Sequence, residues 1–176
     1  MTNTEKQPTC KELVQGQFNH VEQTYREALN YYMEFDGATE GEQIALKVID
    51  EHKSNYFHEY EDLFDYVNND ALSWDYIEAG TFDNKTGYYR LQLSWGGPSD
   101  EFRIYTAQDD HSVDVIEYHF MDWHDGPSVN VPQDSISWDV CQMLLDCEVA
   151  QIRIGNIKTC AELKKDEGKR IALYAQ

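Results

Sequence analysis

Residues 88–127 read YYRLQLSWGGPSDEFRIYTAQDDHSVDVIEYHFMDWHDGP, and this stretch decides the fold class. It begins with alternating apolar and polar residues from Tyr89 to Trp95, the period-two pattern of a half-buried strand. Gly96-Gly97-Pro98 then predicts a turn, because glycine tolerates positive φ and proline cannot donate to a strand ladder. A second alternating run follows over 101–106, and a third over 113–123. Three consecutive antiparallel strands are therefore expected.

Helix starts are predicted by three Thr-x-x-Glu sequences, in which the hydroxyl and the carboxylate each satisfy an amide of the first turn. These capping boxes are Thr9–Glu12, Thr39–Glu42 and Thr159–Glu162. After the first box, an apolar stripe at helical spacing predicts a helix that ends at Asp36-Gly37. The members of this stripe are Val14, Phe18, Val21, Tyr25, Leu29 and Tyr32.

Two more helical segments and one more strand precede the meander. In the second helix, the residues predicted to face inward are Ile44, Val48 and Ile49. Ser54-Asn55 marks a break before a third apolar stripe, which runs from Tyr56 and Phe57 to Val67. Residues 74–82 contain β-favouring side chains and predict a fourth strand. After the meander, Asp134 or Ser135 is expected to cap a short helix whose buried side is Ile136, Val140, Met143, Leu144 and Cys147.

These patterns predict an α+β fold in which N-terminal helices pack on a three- to four-stranded antiparallel meander, followed by one or two short C-terminal helices. At 176 residues the chain is long enough to bury one core. We expect a single acidic domain over 1–150. A mildly basic extension over 151–176 is expected to pack on the same domain.

The sequence has no long apolar run and no basic-then-apolar leader, so we expect neither a membrane span nor secretion. Its cysteines lack paired metal-binding spacing and are expected to be reduced, mostly buried thiols: Cys10, Cys141, Cys147 and Cys160. These features predict a cytoplasmic protein, and no motif predicts a cofactor. The oligomeric state is left open, with a dimer compatible with the sequence.

The formal net charge of −19 is the outlying property of the chain. Residues 1–150 carry thirty acidic and eight basic residues, whereas residues 151–176 carry three acidic and six basic ones. A phosphate backbone would be repelled by such a protein, so nucleic acid is disfavoured as a direct partner. A basic protein partner is favoured, with steered and salt-sensitive association.

The third apolar stripe has a strongly acidic opposite face. Between Asp50 and Asp83 there are ten acidic residues, with the bases Lys53 and Lys85 at or beyond the ends of this stretch. Carboxylates three or four residues apart on a helix lie about 5–6 Å from each other, close to the phosphate spacing of a nucleic-acid strand. The face is therefore either an ordinary solvated surface or one that replaces a nucleic-acid backbone. For the second interpretation, the partner-binding residues are Glu59, Glu61, Asp62, Asp65, Asp70 and Asp75.

A different cluster could carry metal chemistry, because histidine and carboxylate together bind zinc or non-haem iron. It consists of His119, Asp122, His124 and Asp125, at the end of the third meander strand. In a regular strand, His119 points to one face while Asp122 and His124 point to the other, which argues against a shared ion. The alternative is a solvated strand end, and we expect no metal.

Part of the meander resembles a known group of proteins. The strings LSWGGPSDEF at 93–102 and IEYHFMDWHDG at 116–126 are similar to a signature of small phage, plasmid and other mobile-element proteins. The resemblance covers only the meander, and it implies a small sheet-based domain in a mobile-element setting. Small acidic proteins of such elements are similar, as a class, to antirestriction proteins and anti-CRISPRs, which present carboxylates where DNA would bind.

Three functional hypotheses follow. In the first, the protein is a non-enzymatic DNA mimic that inhibits a restriction or CRISPR effector by occupying its basic groove in the host cytoplasm. Its partner is then a basic nucleic-acid-binding protein, with no direct nucleic acid and no membrane. In the second, the protein is a small metal-dependent enzyme that uses the His119 cluster. In the third, it is an interaction module whose acidity serves solubility alone.

Overall fold

A computed structural model describes residues 8–81, 84–107, 112–122 and 126–154, with side chains up to residue 147. The helices in these ranges are α1 (Cys10–Gly37), α2 (Glu40–Lys53), α3 (Leu63–Asp70) and α4 (Ile136–Ile154), with a 3-10 turn at Phe57–Glu59. The strands are β1 (Ser73–Ile77), β2 (Tyr88–Gln92), β3 (Ser99–Thr106), β4 (Val113–Met121) and β5 (Ser128–Asn130).

The strands form one antiparallel sheet in the order β1-β2-β3-β4-β5, which confirms the predicted α+β class and the meander. The predicted count of three to four strands is wrong, because β5 adds a fifth. In β5, Val129 pairs with Tyr118 of β4. Its three residues are too few to show an alternation in the sequence. The meander strands also end earlier than predicted, with β2 ending at Gln92 and β4 at Met121.

Both N-terminal capping boxes are formed. The backbone N–H and the hydroxyl of Thr9 donate to the Glu12 carboxylate at 2.8 and 3.0 Å. Thr39 donates to Glu42 in the same way at 2.9 and 2.6 Å. These bonds lower the pKa of both glutamates. The predicted limits of α1 are confirmed, while the box at 159–162 lies outside the described residues.

α2 is rotated about its axis relative to the prediction, so its apolar stripe faces outward. Asp50 is buried instead, and the Gln43 amide donates to the Phe35 carbonyl oxygen at 3.1 Å. Polar contacts with α1 and with the following turn therefore decide which face of α2 is covered. The side chains wrongly predicted to face inward, and exposed in the structure, are Ile44, Val48 and Ile49.

The predicted third helix is interrupted. Ser54 and Tyr56 adopt left-handed φ values of 60° and 57°, which end α2 and leave only a 3-10 turn after it. α3 begins later, because the Asp62 side chain caps it by accepting from the Asp65 backbone N–H at 2.7 Å. The apolar stripe across this break is nevertheless buried at Phe57, Leu63, Phe64 and Val67.

α1 packs on β4 and β5, and this contact forms the core. Phe18 of α1 lies against Tyr118 with ring centroids 5.7 Å apart, and Tyr118 lies against Phe102 at 5.2 Å. The buried side chains on this side of the sheet include Leu91, Phe102, Ile104, Ile116 and Tyr118. Alternation along the strands turns their polar residues to the other side of the sheet.

The C-terminal helix starts where the sequence predicts but is longer. The Ser135 hydroxyl accepts from the Trp138 backbone N–H at 3.1 Å, as expected of a cap. α4 then continues for 19 residues. The chain divides into two compact units, Met1–Cys141 and Gln142–Gln176, with the boundary inside α4. Most of the predicted extension 151–176 lies outside the described residues and stays a prediction.

The described cysteines are buried, as predicted: Cys10, Cys141 and Cys147. Cys160 lies outside the described residues. Burial raises the pKa of the Cys141 thiol far above its ordinary value, which keeps it protonated and unreactive. Among the helices of the described ranges, none is both long enough and apolar enough to cross a membrane.

A carboxylate of α1 holds the first turn of α4. Glu22 accepts from the Ile136 N–H at 3.1 Å, the Ser137 N–H at 3.0 Å and the Ser137 hydroxyl at 2.6 Å. Arg26 also donates to it at 2.8 Å. Burial raises the pKa of Glu22, but the bonds from Ser137, Ile136 and Arg26 outweigh it, so the pKa is lowered. Glu22 therefore joins the long N-terminal helix to the start of α4.

Glu22→Gln is expected to lower the free energy of unfolding by about 2 kcal/mol near neutral pH, because it removes a charged acceptor. The lowered pKa means that this stabilisation is present above the unfolded-state pKa and is lost as the pH falls through the folded-state value. Urea unfolding at about pH 7 and about pH 3 measures both effects. Glu27→Gln, on an exposed site of α1, is the control. The prediction is contradicted if both variants lose the same free energy of unfolding. It is also contradicted if the difference between them is as large in acid as near neutral pH.

Candidate functional site

The acidic segment, defined as residues 50–75, holds the six predicted partner-binding residues at separate places. Asp62 caps α3 and Asp65 lies in its first turn, whereas Glu59 ends the preceding 3-10 turn. The regular carboxylate spacing of about 5–6 Å that a single helix would give is therefore wrong for this segment. The other three residues lie in the loop before α3, at its last position and in β1, and are Glu61, Asp70 and Asp75.

Two of these carboxylates stabilise the start of α3. Asp62 accepts from the Asp65 N–H at 2.7 Å, and Asp65 accepts from the Glu61 N–H at 3.1 Å. The Asn69 side-chain amide also donates to Asp65 at 3.0 Å. Asp62 and Asp65 are therefore needed for the local fold as well as for any binding surface.

Asp75 is bound within the sheet. Its carboxylate accepts from Arg90 at 2.8 Å and from the Ser73 hydroxyl at 2.7 Å. The bonds from Arg90 and Ser73 lower the pKa of Asp75. Arg90 neutralises the negative charge of Asp75 locally, so Asp75 contributes less to an acidic surface than the sequence predicts.

Three of the six predicted residues are exposed: Glu59, Glu61 and Asp70. Partial burial of its carboxyl group nevertheless raises the pKa of Asp70. Glu51 at the end of α2 is also exposed and lies beside this segment, because its Oε1 lies 3.7 Å from Nε2 of His58 in the 3-10 turn. Sequence periodicity gave no reason to join α2 to this surface.

A buried carboxylate joins α2 to the acidic segment. One oxygen of Asp50 accepts from the His58 backbone N–H at 2.9 Å and lies 2.7 Å from its Nδ1. The other oxygen and the Tyr31 hydroxyl are buried without a hydrogen-bond partner within the described structure. Burial and the nearby Asp50 carboxylate raise the pKa of Tyr31. The contact between Asp50 and His58 anchors the 3-10 turn and thereby positions Glu59.

A second polar cluster covers the sheet face opposite the core, and the sequence alone did not predict it. Arg103 donates from Nε to Glu101 at 2.6 Å, and its guanidinium lies 5.1 Å from the Tyr88 ring centroid. The side chains are largely buried, with 17% of Arg103 and 5% of Glu101 exposed. Its signal in the sequence is a pair of titratable residues two positions apart in each of two strands, at 101–103 and at 117–119, a spacing that also fits an ordinary strand pattern.

His119 completes this network. Its Nε2 lies 3.0 Å from Oε2 of Glu117, and Glu101 is its cross-strand neighbour. Burial and the nearby Arg103 lower the pKa of His119, so the ring is neutral near pH 7. The network thus pairs the Arg103 cation with Glu101 and places the Glu117 carboxylate beside a neutral imidazole.

Of the alternative metal cluster, only His119 and Asp122 lie within the described residues. His119 is buried beside Glu117, and Asp122 is exposed beyond the end of β4. His124 and Asp125 lie outside the described residues. Within the described ranges, no group of three histidine, cysteine or acidic side chains is arranged to bind a metal ion.

Comparison with known proteins gives no match: no family model, no curated protein and no solved structure is significantly similar to the chain. The resemblance of the meander to mobile-element proteins therefore stays a prediction.

Asp62→Ala is expected to lower the free energy of unfolding by about 1 kcal/mol, because the Asp65 N–H loses its acceptor. Glu61→Ala, one residue away and exposed, is expected to change it by less than about 0.5 kcal/mol. Chemical denaturation of both variants measures the difference. Equal effects at the two positions would show that Asp62 does not stabilise the helix start.

Glu101→Ala is expected to lower the free energy of unfolding by about 3 kcal/mol or more, because it leaves the Arg103 guanidinium without its carboxylate. The double variant Glu101→Leu/Arg103→Met removes both charges and is expected to recover most of that loss. Thermal and urea unfolding compare the two. A double variant no more stable than Glu101→Ala contradicts the charge-balance account.

Proposed function

We propose that the protein is a non-enzymatic inhibitor that binds a basic nucleic-acid-binding protein of its host and excludes the nucleic acid. The interface consists of exposed carboxylates of the acidic segment, chiefly Glu59, Glu61 and Asp70, with Glu51 at the end of α2 beside the 3-10 turn. By analogy with the acidic mobile-element proteins that the meander resembles, the partner is a restriction or CRISPR effector in the host cytoplasm.

One observation supports this proposal most. The two arginines of the sheet are paired with carboxylates, whereas the interface carboxylates just named, which we call the helical surface, are exposed. Arg90 donates to Asp75 at 2.8 Å and Arg103 to Glu101 at 2.6 Å. The positive charges of the sheet therefore compensate sheet carboxylates, and the helical surface keeps its negative charge. Such a surface attracts a basic groove and repels phosphate.

Revised residue roles follow from the geometry. Glu59 and Glu61 are exposed, so their side chains can reach lysine and arginine of a partner without loss of local structure. Asp62 and Asp65 accept backbone hydrogen bonds at the start of α3 and act mainly by shaping the surface. Asp75 is paired with Arg90 and lies outside the interface that we propose.

The competing interpretation is an acidic module whose charge serves solubility alone. It predicts that equal numbers of charge reversals have equal effects wherever they are placed. Groove binding predicts that position decides the effect, because only carboxylates facing the partner contribute.

The experiment measures displacement of a labelled DNA duplex from purified restriction and CRISPR effectors by fluorescence anisotropy. The wild-type protein is expected to release the duplex from its target, and excess DNA should restore the complex. Glu59→Lys/Glu61→Lys is expected to weaken inhibition at least about tenfold, because positive charge faces a basic groove. Glu27→Lys/Asp114→Lys changes the net charge equally and is expected to inhibit within about twofold of wild type.

Both pairs of residues are exposed, so neither variant should lower the melting temperature appreciably. Inhibition that is equal in all three proteins and indifferent to salt contradicts the proposal. Equal losses in both double variants would favour the solubility module instead.

A further inference from the structure

Trp95 is the most exposed of the large apolar side chains in the described structure, at 79%. The alternation of the sequence predicts it as a strand residue, but β2 ends at Gln92 and Trp95 lies in the loop before β3. Tryptophan is among the residues that contribute most to protein interfaces, because a large rigid surface is buried at low entropic cost.

The loop that presents Trp95 is held by hydrogen bonds to Asp100, which in turn accepts one from the buried Tyr118. The Ser94 hydroxyl and the Asp100 carboxylate are bonded, the Asp100 N–H donates back to Ser94 at 3.0 Å, and the Leu93 N–H donates to the Asp100 carbonyl at 3.0 Å. The other Asp100 oxygen accepts from the buried Tyr118 hydroxyl at 2.6 Å. Gly96 supplies the φ of +136° that follows the tryptophan. The indole is therefore presented from a preformed loop.

Exposed apolar and acidic side chains lie at the same end of the sheet as this loop. The Leu72 N–H donates to the Gln92 carbonyl at 2.8 Å, which places the end of α3 beside the strand that leads into the loop. Leu72 is 58% exposed, and Asp70 two residues before it is also exposed. Asp122 is exposed at the same end of the sheet, because its neighbour Met121 pairs with Ser99.

We propose that Trp95 binds an arginine side chain of the basic partner, with the guanidinium stacked on the indole and Asp70 and Asp122 flanking it. This inference rests on the proposed function and adds a second contact to it. Guanidinium stacks on aromatic rings and pairs with carboxylates, and it is more weakly hydrated than an ammonium group. A nucleic-acid base would also stack on tryptophan, but its phosphates would be repelled by the negative protein.

The test uses two fluorescently labelled peptides, nona-arginine and nona-lysine, whose binding to the full chain is measured by anisotropy. Trp95→Ala is expected to weaken nona-arginine binding at least about fivefold and nona-lysine binding less than about twofold. Trp95→Phe should retain a larger share of nona-arginine binding than the alanine variant. Met33→Ala, another exposed apolar side chain at 50%, is the matched control and should bind both peptides like wild type.

Equal binding of nona-arginine by wild type and Trp95→Ala overturns the inference, as does an equal loss for both peptides. Tighter binding of a labelled single-stranded oligonucleotide than of nona-arginine overturns it in favour of a base-stacking site. Sedimentation of the protein alone that changes on Trp95→Ala overturns it in favour of self-association. Glu59→Lys/Glu61→Lys separates the two proposals. If this variant weakens nona-arginine binding while Trp95→Ala does not, only the tryptophan site is wrong.

Discussion

The buried hydroxyl of Tyr118 donates to the Asp100 carboxylate at 2.6 Å, and the rest of the structure depends on the position of this side chain. Its ring lies between Phe18 of α1 and Phe102 of β3. Burial of one such ring contributes about 3 kcal/mol. The same residue therefore fixes the helix on the sheet, supports the pairing of β3 with β4 and, through Asp100, positions the loop before β3.

The fold separates two kinds of charge. On the sheet face opposite the core, Arg90 and Arg103 each lie beside a carboxylate. An unpaired charge buried there would cost several kcal/mol. On the helical surface Glu51, Glu59, Glu61 and Asp70 are exposed. Like-charge repulsion on that surface opposes folding, which the core around Tyr118 and the Glu22 contact to α4 offset. The folded protein can therefore carry a negative surface, because core packing offsets the repulsion between its carboxylates.

Local features of the fold could be predicted from the sequence because they depend on near neighbours. Thr9 and Glu12 are three residues apart, so their capping box forms wherever the helix lies. The meander was visible because strand alternation repeats every two residues. The rotation of α2 was not predictable, because Asp50 and Gln43 find their partners His58 and Phe35 outside the helix. β5 was missed for the same reason, since pairing with β4 defines it.

The amino-acid sequence by itself determined the secondary-structure pattern, the negative net charge and the list of candidate carboxylates. Only the tertiary structure decided which of them are exposed, because Arg90 of β2 binds Asp75 on the neighbouring strand β1 and Asp62 is used at a helix start. It also decided that Trp95 lies outside the core, since β2 ends three residues earlier. Composition sets the sign of a surface charge, whereas the partners that neutralise individual side chains come from distant parts of the chain.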